Sequence, residues 1–128
     1  MKIAFVVNDT NTEKEWYTTP ALAYNAYKSG HEVYLIGVGE LAYASDGFLT
    51  ARCKTVKDKK FKGVKTFLKA IQESEFSRIT DQDLDVIMLR NDPSDEINER
   101  NWAQNAAFIF AEIAARNGVI VLNHPSAL

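Results

Sequence analysis

The chain has 128 residues, of which 46% are hydrophobic and 25% charged, with two Trp, five Tyr and seven Phe. A chain of this length and composition buries enough apolar surface to form one globular domain without disulfides or structural metals. Its net charge of -2 at neutral pH creates no overall positive field, so nucleic acid and anionic membranes are not expected as partners.

Cysteine content and hydrophobic runs indicate the cellular compartment. Cys53 is the only cysteine, so no internal disulfide can form, and we expect a buried, unreactive thiol in a reducing compartment. The apolar run Ile3 to Val7 is too short for a signal peptide, and no stretch approaches the ~18 residues of a membrane span. The sequence therefore predicts a soluble, cytoplasmic protein that does not enter the membrane.

The first forty residues show the pattern of a strand, a helix and a second strand. Ile3 to Val7 is a continuous apolar run, which is typical of a strand covered on both faces in a parallel sheet. A second strand of the same kind is predicted from Glu32 to Ile36. Such a βαβ unit has a right-handed crossover.

The helix between these strands has boundary signals at both ends. Thr18 or Thr19 is the candidate N-cap, and Pro20 suits the first helical position. Gly30 suits the left-handed residue that ends a helix. These signals predict a helix from Pro20 to Ser29.

Two short β-prone runs follow, on either side of Asp46-Gly47, and they predict a β-hairpin beside the main sheet. Just before them, residues 37–42 match the dinucleotide-binding pattern G-x-G-x-x-A. That motif requires the first strand before it and a helix after it. Because this copy follows the second strand and precedes a hairpin, we do not assign it to a dinucleotide.

Seven lysines lie between positions 54 and 69. Clustered lysines can bind phosphates, so a basic patch is one interpretation. The favoured alternative is a helix ending near Ser74 whose apolar residues recur at helical spacing and leave the lysines in solvent. The apolar residues are Val64, Phe67, Leu68 and Ile71, and the lysines are Lys54, Lys57, Lys59, Lys60, Lys62, Lys65 and Lys69.

The last part of the chain predicts a strand, a long helix and a strand. The strand is Asp85 to Leu89, and the helix has acidic residues near its start and Gly118 as its stop. The predicted buried stripe of this helix consists of Trp102, Ala106, Ile109 and Ile113. The run VIVL, residues 119–122, is the last strand.

Strands that alternate with helices predict the fold class. We expect an α/β domain with a Rossmann-like, open, mostly parallel sheet of about four core strands, flanked by helices and extended by the β-hairpin. No internal repeat or linker interrupts residues 1–128.

The residues that follow the predicted core strands lie at the edge where open parallel sheets bind their ligands, and three of the four exits are polar. Arg90 is the most informative of them, because its planar guanidinium can grip a carboxylate or a phosphate. The exits are Asn8-Asp9-Thr10, Gly37-Val38-Gly39, Arg90-Asn91-Asp92-Pro93 and Asn123-His124-Pro125.

A purely structural interpretation of the same residues is also open. Arg90 can form an ion pair with Asp9, Asp92 or Asp95. Asp92 before Pro93 suits the entrance of a helix, and we favour this capping role for Asp92. A capping aspartate can also orient the arginine.

Metal and nucleophile chemistry is less well supported. Asp9 and Asp92 form a possible carboxylate pair for Mg²⁺. His31 is expected to be structural, and His124 lacks the neighbouring Cys or His of a metal site. Ser126 lies near His124, but nothing around it resembles a nucleophile elbow.

Three motifs carry a resemblance over nearly the whole chain: "IAFVVND", "LDVIMLRNDPS" and "VIVLNHPSAL". With the elements between them, they resemble the N-terminal, pre-ATP-grasp domain of prokaryotic glutathione synthetases. The resemblance implies an ATP-dependent carboxylate-amine ligase that activates its carboxylate as an acyl phosphate. ATP and Mg²⁺ are implied for the full-length ligase and lie mostly in later subdomains, so no cofactor is expected in this domain.

The resemblance also implies substrate-binding residues in this domain. The family's aspartate after the first strand falls on Asp9, its substrate-side arginine on Arg90, and its Asp-Pro on Asp92-Pro93. Its hydroxyls at the helix start fall on Thr18 and Thr19. Together with Thr10 and Asn91, these residues form the predicted site for an amino-acid or peptide substrate, with no catalytic residue among them.

Some positions depart from the family pattern and leave the particular substrate open. Asn8-Asp9-Thr10 stands where the family has Met-Asp-Pro, and Arg90-Asn91-Asp92-Pro93-Ser94 where it has Arg-Lys-Asp-Pro-Pro. Asn123-His124-Pro125 replaces Asn-Lys-Pro. The loop from Asn11 to Tyr17 lacks the usual Lys-Lys-Asp.

Family chains continue into an ATP-grasp domain, which residues 1–128 do not contain. We therefore expect this domain to be inactive alone, to work with an ATP-grasp domain in cis or in trans, and to form a homo-oligomer. The alternative is a stand-alone Rossmann-like module that binds partners or oligomerises without catalysis.

Overall fold

A computed structural model describes residues 1–43, 49–90 and 101–122. The helices are α1 (Thr18–Lys28), α2 (Val64–Glu73) and α3 (Asn101–Arg116). The strands are β1 (Lys2–Val7), β2 (Glu32–Gly37), β3 (Leu41–Tyr43), β4 (Leu49–Thr55), β5 (Ser77–Thr80), β6 (Val86–Leu89) and β7 (Ile120–Leu122). Two short 3-10 helices, Val38–Glu40 and Asp81–Asp83, precede β3 and β6. None of the described helices is long and apolar enough to cross a membrane.

The strands form one sheet with a parallel centre and an antiparallel extension. The order is β3-β4-β2-β1-β6-β7, and β5 pairs with β4 off this path. The pairs β1–β2, β1–β6 and β6–β7 are parallel, whereas β4 runs antiparallel to β2, β3 and β5. The Rossmann-like α/β fold with four parallel core strands is confirmed, and so is the pairing of the two hairpin strands. The predicted Asp46-Gly47 turn lies outside the described residues.

The core consists of two layers, one on each face of the sheet. On one face, side chains of β1 such as Phe5 pack with α1 and α2, where Phe67 and Ile71 are fully buried. On the other face, Ala4 and Val6 pack with α3. This alternation along β1 is the strand periodicity of two, and it explains why the apolar run is continuous.

The predicted N-cap of α1 is wrong, although its stop is confirmed. The capping position is Tyr17, without a side-chain hydrogen bond, and Thr18 is already helical. Pro20 is tolerated there because the first four N–H groups of a helix have no intrahelical partner. After Lys28 the chain turns at Gly30, whose φ of +94° favours glycine.

The predicted buried stripe of α3 is wrong at Ile109, whereas Ile113 is partly buried and packs against the core. Ile109 is 48% exposed, whereas Phe110 is 3% exposed and lies in the core. The buried positions have the same helical spacing as the predicted stripe but a different phase: Ala107, Phe110, Ala111 and Ala114. The three alanines let this face of the helix approach the sheet closely, and Phe110 on the same face is buried with them. The side chains of Trp102 and Ala106 are not described.

Strand β5 and the 3-10 helix after it were not predicted. Asp81, which is 1% exposed, connects this region to the rest of the fold. Its carboxylate accepts hydrogen bonds from the Leu49 backbone N–H at 3.3 Å and from Asn117 Nδ2 at 2.6 Å. It therefore fastens the start of β4 to the end of α3.

The lysine segment is solvent-exposed over α2, as predicted, but Lys54 is an exception. Lys54 lies in β4 and is 7% exposed, and its Nζ donates to the Gln72 carbonyl at 2.6 Å. Residue 72 is in the last turn of α2, where carbonyl groups lack helical partners. The ammonium therefore caps the helix instead of facing solvent. Cys53 beside it is buried, as predicted, and burial raises the pKa of its thiol.

Candidate functional site

The carboxyl ends of the parallel strands meet at one edge, as the sequence predicted. Val7 of β1 is in register with Gly37 of β2. The Arg90 N–H donates to the Val6 carbonyl at 2.8 Å and extends the pairing of β1 with β6. The residues that follow β1, β2 and β6 therefore start side by side.

Arg90 projects toward the face of the sheet that carries α1 and α2. The alternation along β6 places Val86 and Met88 on that face and Leu89 on the other. The Nε of Arg90 donates to Thr19 Oγ1 of α1 at 3.2 Å, and the arginine is partly exposed. Thr19 is buried, whereas Thr18 beside it is exposed.

Glu13 was not among the predicted site residues. It lies close enough to Arg90 to be affected by its charge. Burial raises the pKa of the Glu13 carboxyl, and the Arg90 guanidinium lowers it to a smaller extent. No ion pair joins Arg90 to Asp9 among the described residues, and Asp92 and Asp95 lie outside them. The purely structural interpretation is therefore not supported for Asp9.

The loop after β1 is held in a defined shape. Asp9 Oδ1 accepts the N–H of Asn11 at 2.8 Å, a local turn typical of aspartate. Gln72 of α2 donates to the carbonyls of Thr10 at 2.9 Å and Glu13 at 3.0 Å. Gln72 was missed because nothing distinguishes it from other polar residues of a predicted helix. The loop is therefore held both by its own turn and by hydrogen bonds from α2.

A cleft of about 190 Å³ opens beyond the ends of β1 and β2. Asp9 and Thr10, two of the predicted site residues, line it together with Phe76, which was not predicted. Arg90 and Thr19 lie toward α1 and are not part of its lining. The complete lining is Asn8, Asp9, Thr10, Asn11, Gly37, Gly39, Glu40 and Phe76.

The predicted site therefore has two described parts at one edge of the sheet. Asp9 and Thr10 face the cleft, and Arg90, Thr19 and Glu13 lie on the side of α1. The loop from Asp9 to Glu13 connects the two parts. Asn91 and Asp92, the remaining predicted residues, lie outside the described residues, as does His124.

Two features within residues 1–43, 49–90 and 101–122 bear on cofactor binding, the glycine pattern and the acidic residues. The glycine pattern at residues 37–42 forms a 3-10 helix and strand β3, so it lacks the helix that dinucleotide binding requires. In the described ranges, no three His, Cys, Asp or Glu side chains come together in a way that would hold a metal ion. His31 lies at the opposite end of β1, where the Met1 amine donates to its Nδ1 at 3.1 Å.

Comparison with known proteins agrees with the sequence resemblance. A search of curated proteins found no significant match. A family model described as the prokaryotic glutathione synthetase N-terminal domain matches residues 1–128. With its parallel-centred α/β sheet and this match over its whole length, the chain belongs to the prokaryotic glutathione synthetase N-terminal domain family.

Proposed function

We propose that this chain is the substrate-side domain of a glutathione synthetase-like, ATP-dependent carboxylate-amine ligase. The observation that carries the proposal is Arg90, a partly exposed arginine beside the carboxyl ends of parallel strands, with Thr19 and Glu13 as neighbours. In open α/β sheets this edge is where ligands bind.

Arg90 has the chemistry to bind a substrate carboxylate. A guanidinium carries five N–H donors, and Thr19 is the one acceptor of an Arg90 side-chain hydrogen bond among the described residues. Because Thr19 holds the Nε side, the two terminal nitrogens are pre-oriented for a bidentate contact. Binding between guanidinium and carboxylate would then fix the direction of the substrate.

Glu13 makes the same position suitable for an amino acid. Its carboxylate is half-buried beside Arg90, so it offers an acceptor for a substrate ammonium next to the guanidinium that takes the carboxylate. A paired cation and anion in a partly desolvated site match the two charges of an amino-acid end group. We therefore propose an amino-acid or peptide substrate.

The residues of this chain bind and orient, and we assign no catalytic group among them. ATP, bound to the remainder of such a ligase with Mg²⁺, supplies the phosphoryl group that activates the carboxylate. The described residues show no cluster suited to a metal ion, so no step through Mg²⁺ is attributed to them.

The test is peptide binding by calorimetry, with short γ-glutamyl and dicarboxylic peptides. We expect Arg90→Ala to weaken binding by about 2–5 kcal/mol, or roughly 30- to several-thousand-fold, because the substrate carboxylate then loses the guanidinium that binds it. Arg90→Lys keeps the positive charge but lacks the planar guanidinium, so its affinity for the peptide should lie between those of the wild type and Arg90→Ala. Lys69→Ala, which removes an exposed charge on α2, should bind like the wild type.

The same substitution has a kinetic counterpart. In a ligase that combines this chain with an ATP-grasp domain, Arg90→Ala should lower kcat/KM for the peptide by a similar factor. Wild-type binding and turnover in the Arg90→Ala variant would contradict the proposal, as would the absence of peptide binding by the wild type.

A second candidate is a binding or oligomerisation module. Apolar side chains on edge strand β7 favour it, since Ile120 is 59% and Leu122 44% exposed. An exposed apolar edge strand is a typical pairing surface for another chain. We propose a second copy of this chain as the occupant, and this interface is compatible with the substrate-binding role.

A further inference from the structure

Two arginines stand directly opposite each other in the antiparallel part of the sheet. Arg52 of β4 is in register with Arg78 of β5, so both side chains lie on the same face. It is the face opposite to α3, because their neighbours Ala51 and Ile79 point into the core beneath that helix. Both arginines are exposed.

Opposed like charges destabilise a sheet, and little in the described structure compensates these two. Glu40 reaches Arg52 with an Oε2–Nη1 distance of 3.6 Å, an exposed pair of the kind that contributes at most about 1 kcal/mol. Arg78 forms no ion pair with a described residue. The carboxylate of Asp83, near the end of β5, accepts hydrogen bonds from Thr80 instead.

The ring of Phe76 contacts both Arg52 and a third cation, Lys54. Arg52 Cζ lies 4.3 Å and Lys54 Nζ 4.8 Å from the centre of its ring. Lys54 is buried and fixed to the end of α2. The patch thus combines three positive charges, and Glu40 is the acidic side chain that pairs with them among the described residues. The aromatic ring restricts the orientation of one guanidinium.

This patch is connected to the cleft of the proposed substrate site. A second cleft of about 190 Å³ is lined by Arg52 and Arg78, and it shares Gly39 and Glu40 with the cleft that contains Asp9. The two clefts are neighbours, with Gly39 and Glu40 in the wall of each. Asp9 lines one cleft, and the arginine pair lines the other.

We propose that Arg52 and Arg78 together bind an oxyanion, a carboxylate or phosphate group of a ligand that extends from their cleft toward the neighbouring cleft of Asp9. Two planar guanidinium groups on one face present several parallel N–H donors to such a group. The bound anion would also remove the repulsion between the arginines. Anion binding by the two arginines does not depend on the proposed function. Only the placement of the rest of the ligand in the cleft of Asp9 rests on it.

The first test is thermal unfolding of residues 1–128 with pyrophosphate or glutarate as probe, at matched ionic strength. The wild type should be stabilised, because a ligand that binds the folded state raises its melting temperature. Arg52→Gln and Arg78→Gln should each weaken binding by about tenfold or more. Lys69→Gln removes one exposed charge elsewhere and should respond like the wild type. Glutarate and pyrophosphate, tested separately, distinguish a carboxylate from a phosphate ligand.

The second test is stability without any ligand. If the arginines repel each other, Arg78→Gln should raise the melting temperature at low salt, and the gain should shrink at high salt. Arg78→Lys keeps the charge and should show no such gain. A merely structural Arg78 would instead give a destabilised Gln variant at every salt concentration.

The inference is overturned if neither probe stabilises the wild type, or if Lys69→Gln loses as much binding as the arginine variants. It is also overturned if Arg78→Gln is destabilised at low salt. Failure of the proposed function has a different signature: Arg90→Ala would bind peptides normally, while pyrophosphate or glutarate would still depend on Arg52 and Arg78.

Discussion

At the scale of single residues, Lys54 shows how burial changes the role of a charge. It is one of seven lysines in a short segment, but its ammonium donates to a carbonyl in the last turn of α2. A cation at this end of a helix is favourable because the carbonyls there carry partial negative charge. Lys57 nearby is exposed and pairs with Glu32 at 3.2 Å.

These two lysines make a matched pair for mutagenesis. We expect Lys54→Met to lower the free energy of unfolding by about 1.5–3 kcal/mol, because a charge-assisted hydrogen bond in a buried position is lost. Lys57→Met should cost at most about 1 kcal/mol, the usual value of an exposed ion pair. Urea unfolding of both variants measures the difference. Equal losses would show that the contact of Lys54 with α2 does not stabilise the fold.

Glu13 predicts a dependence of stability on pH. Its pKa is raised above the usual 4.5, mainly by burial, so the folded protein binds more protons here than the unfolded chain does. Stability should therefore fall as the pH rises through the interval that begins at about 4.5 and ends at the raised value. The loss should level off once Glu13 is ionised in both states.

Glu13→Gln removes this titration and provides the comparison. Its free energy of unfolding should fall less than that of the wild type as the pH is raised from acidic to neutral. Urea unfolding at several pH values measures both curves. Parallel curves would show that Glu13 titrates normally and is not desolvated beside Arg90.

At the scale of elements, α3 shows what decides which face of a helix is buried. Ile109 and Phe110 are adjacent and both apolar, but they are 48% and 3% exposed. Helical periodicity alone admits more than one apolar stripe in a helix this rich in alanine and isoleucine. The sheet selects the stripe with the small residues Ala107, Ala111 and Ala114, because it allows the closest packing.

Substitution of the two neighbours tests this assignment. Phe110→Ala should lower the free energy of unfolding by about 3–5 kcal/mol, the usual cost of removing a buried aromatic ring. Ile109→Ala should change it by at most about 0.5 kcal/mol, since little of its packing is lost. Chemical denaturation of both variants measures these changes. A larger loss of unfolding free energy for Ile109→Ala than for Phe110→Ala would show that Ile109 lies on the buried face, as predicted from sequence.

At the scale of the whole molecule, β7 is the strand at the parallel end of the sheet. Ile120 and Leu122 expose apolar surface along it, so we predict that the domain self-associates there. Ile120→Lys and Leu122→Lys should shift sedimentation equilibrium toward the monomer. Trp16→Lys changes a side chain outside β7, in the loop before α1, that is 74% exposed, and it should leave association unchanged. A monomeric wild type at high concentration would remove the second candidate function.

The sequence by itself determined the parallel α/β centre and the edge where polar residues meet. Continuous apolar runs, Gly30 and Gly118 as helix stops, and the polar residues after β1 and β6 are local signals that need no knowledge of distant contacts. Asp9 and Arg90 were placed on the same edge for this reason, because parallel strands end together.

The tertiary structure decided which distant residues complete that edge. Gln72 of α2 holds the loop after β1 through hydrogen bonds that span 59 and 62 positions of sequence, and Glu13 lies beside the distant Arg90. Asp81 joins β4 to the end of α3 through hydrogen bonds that span 32 and 36 positions. The pairing of Arg52 with Arg78 depends on β5. This four-residue strand has one buried residue, Ile79, so its sequence gives a weak strand signal. Packing across the sheet sets such contacts, because each depends on the positions of two elements that local sequence does not specify.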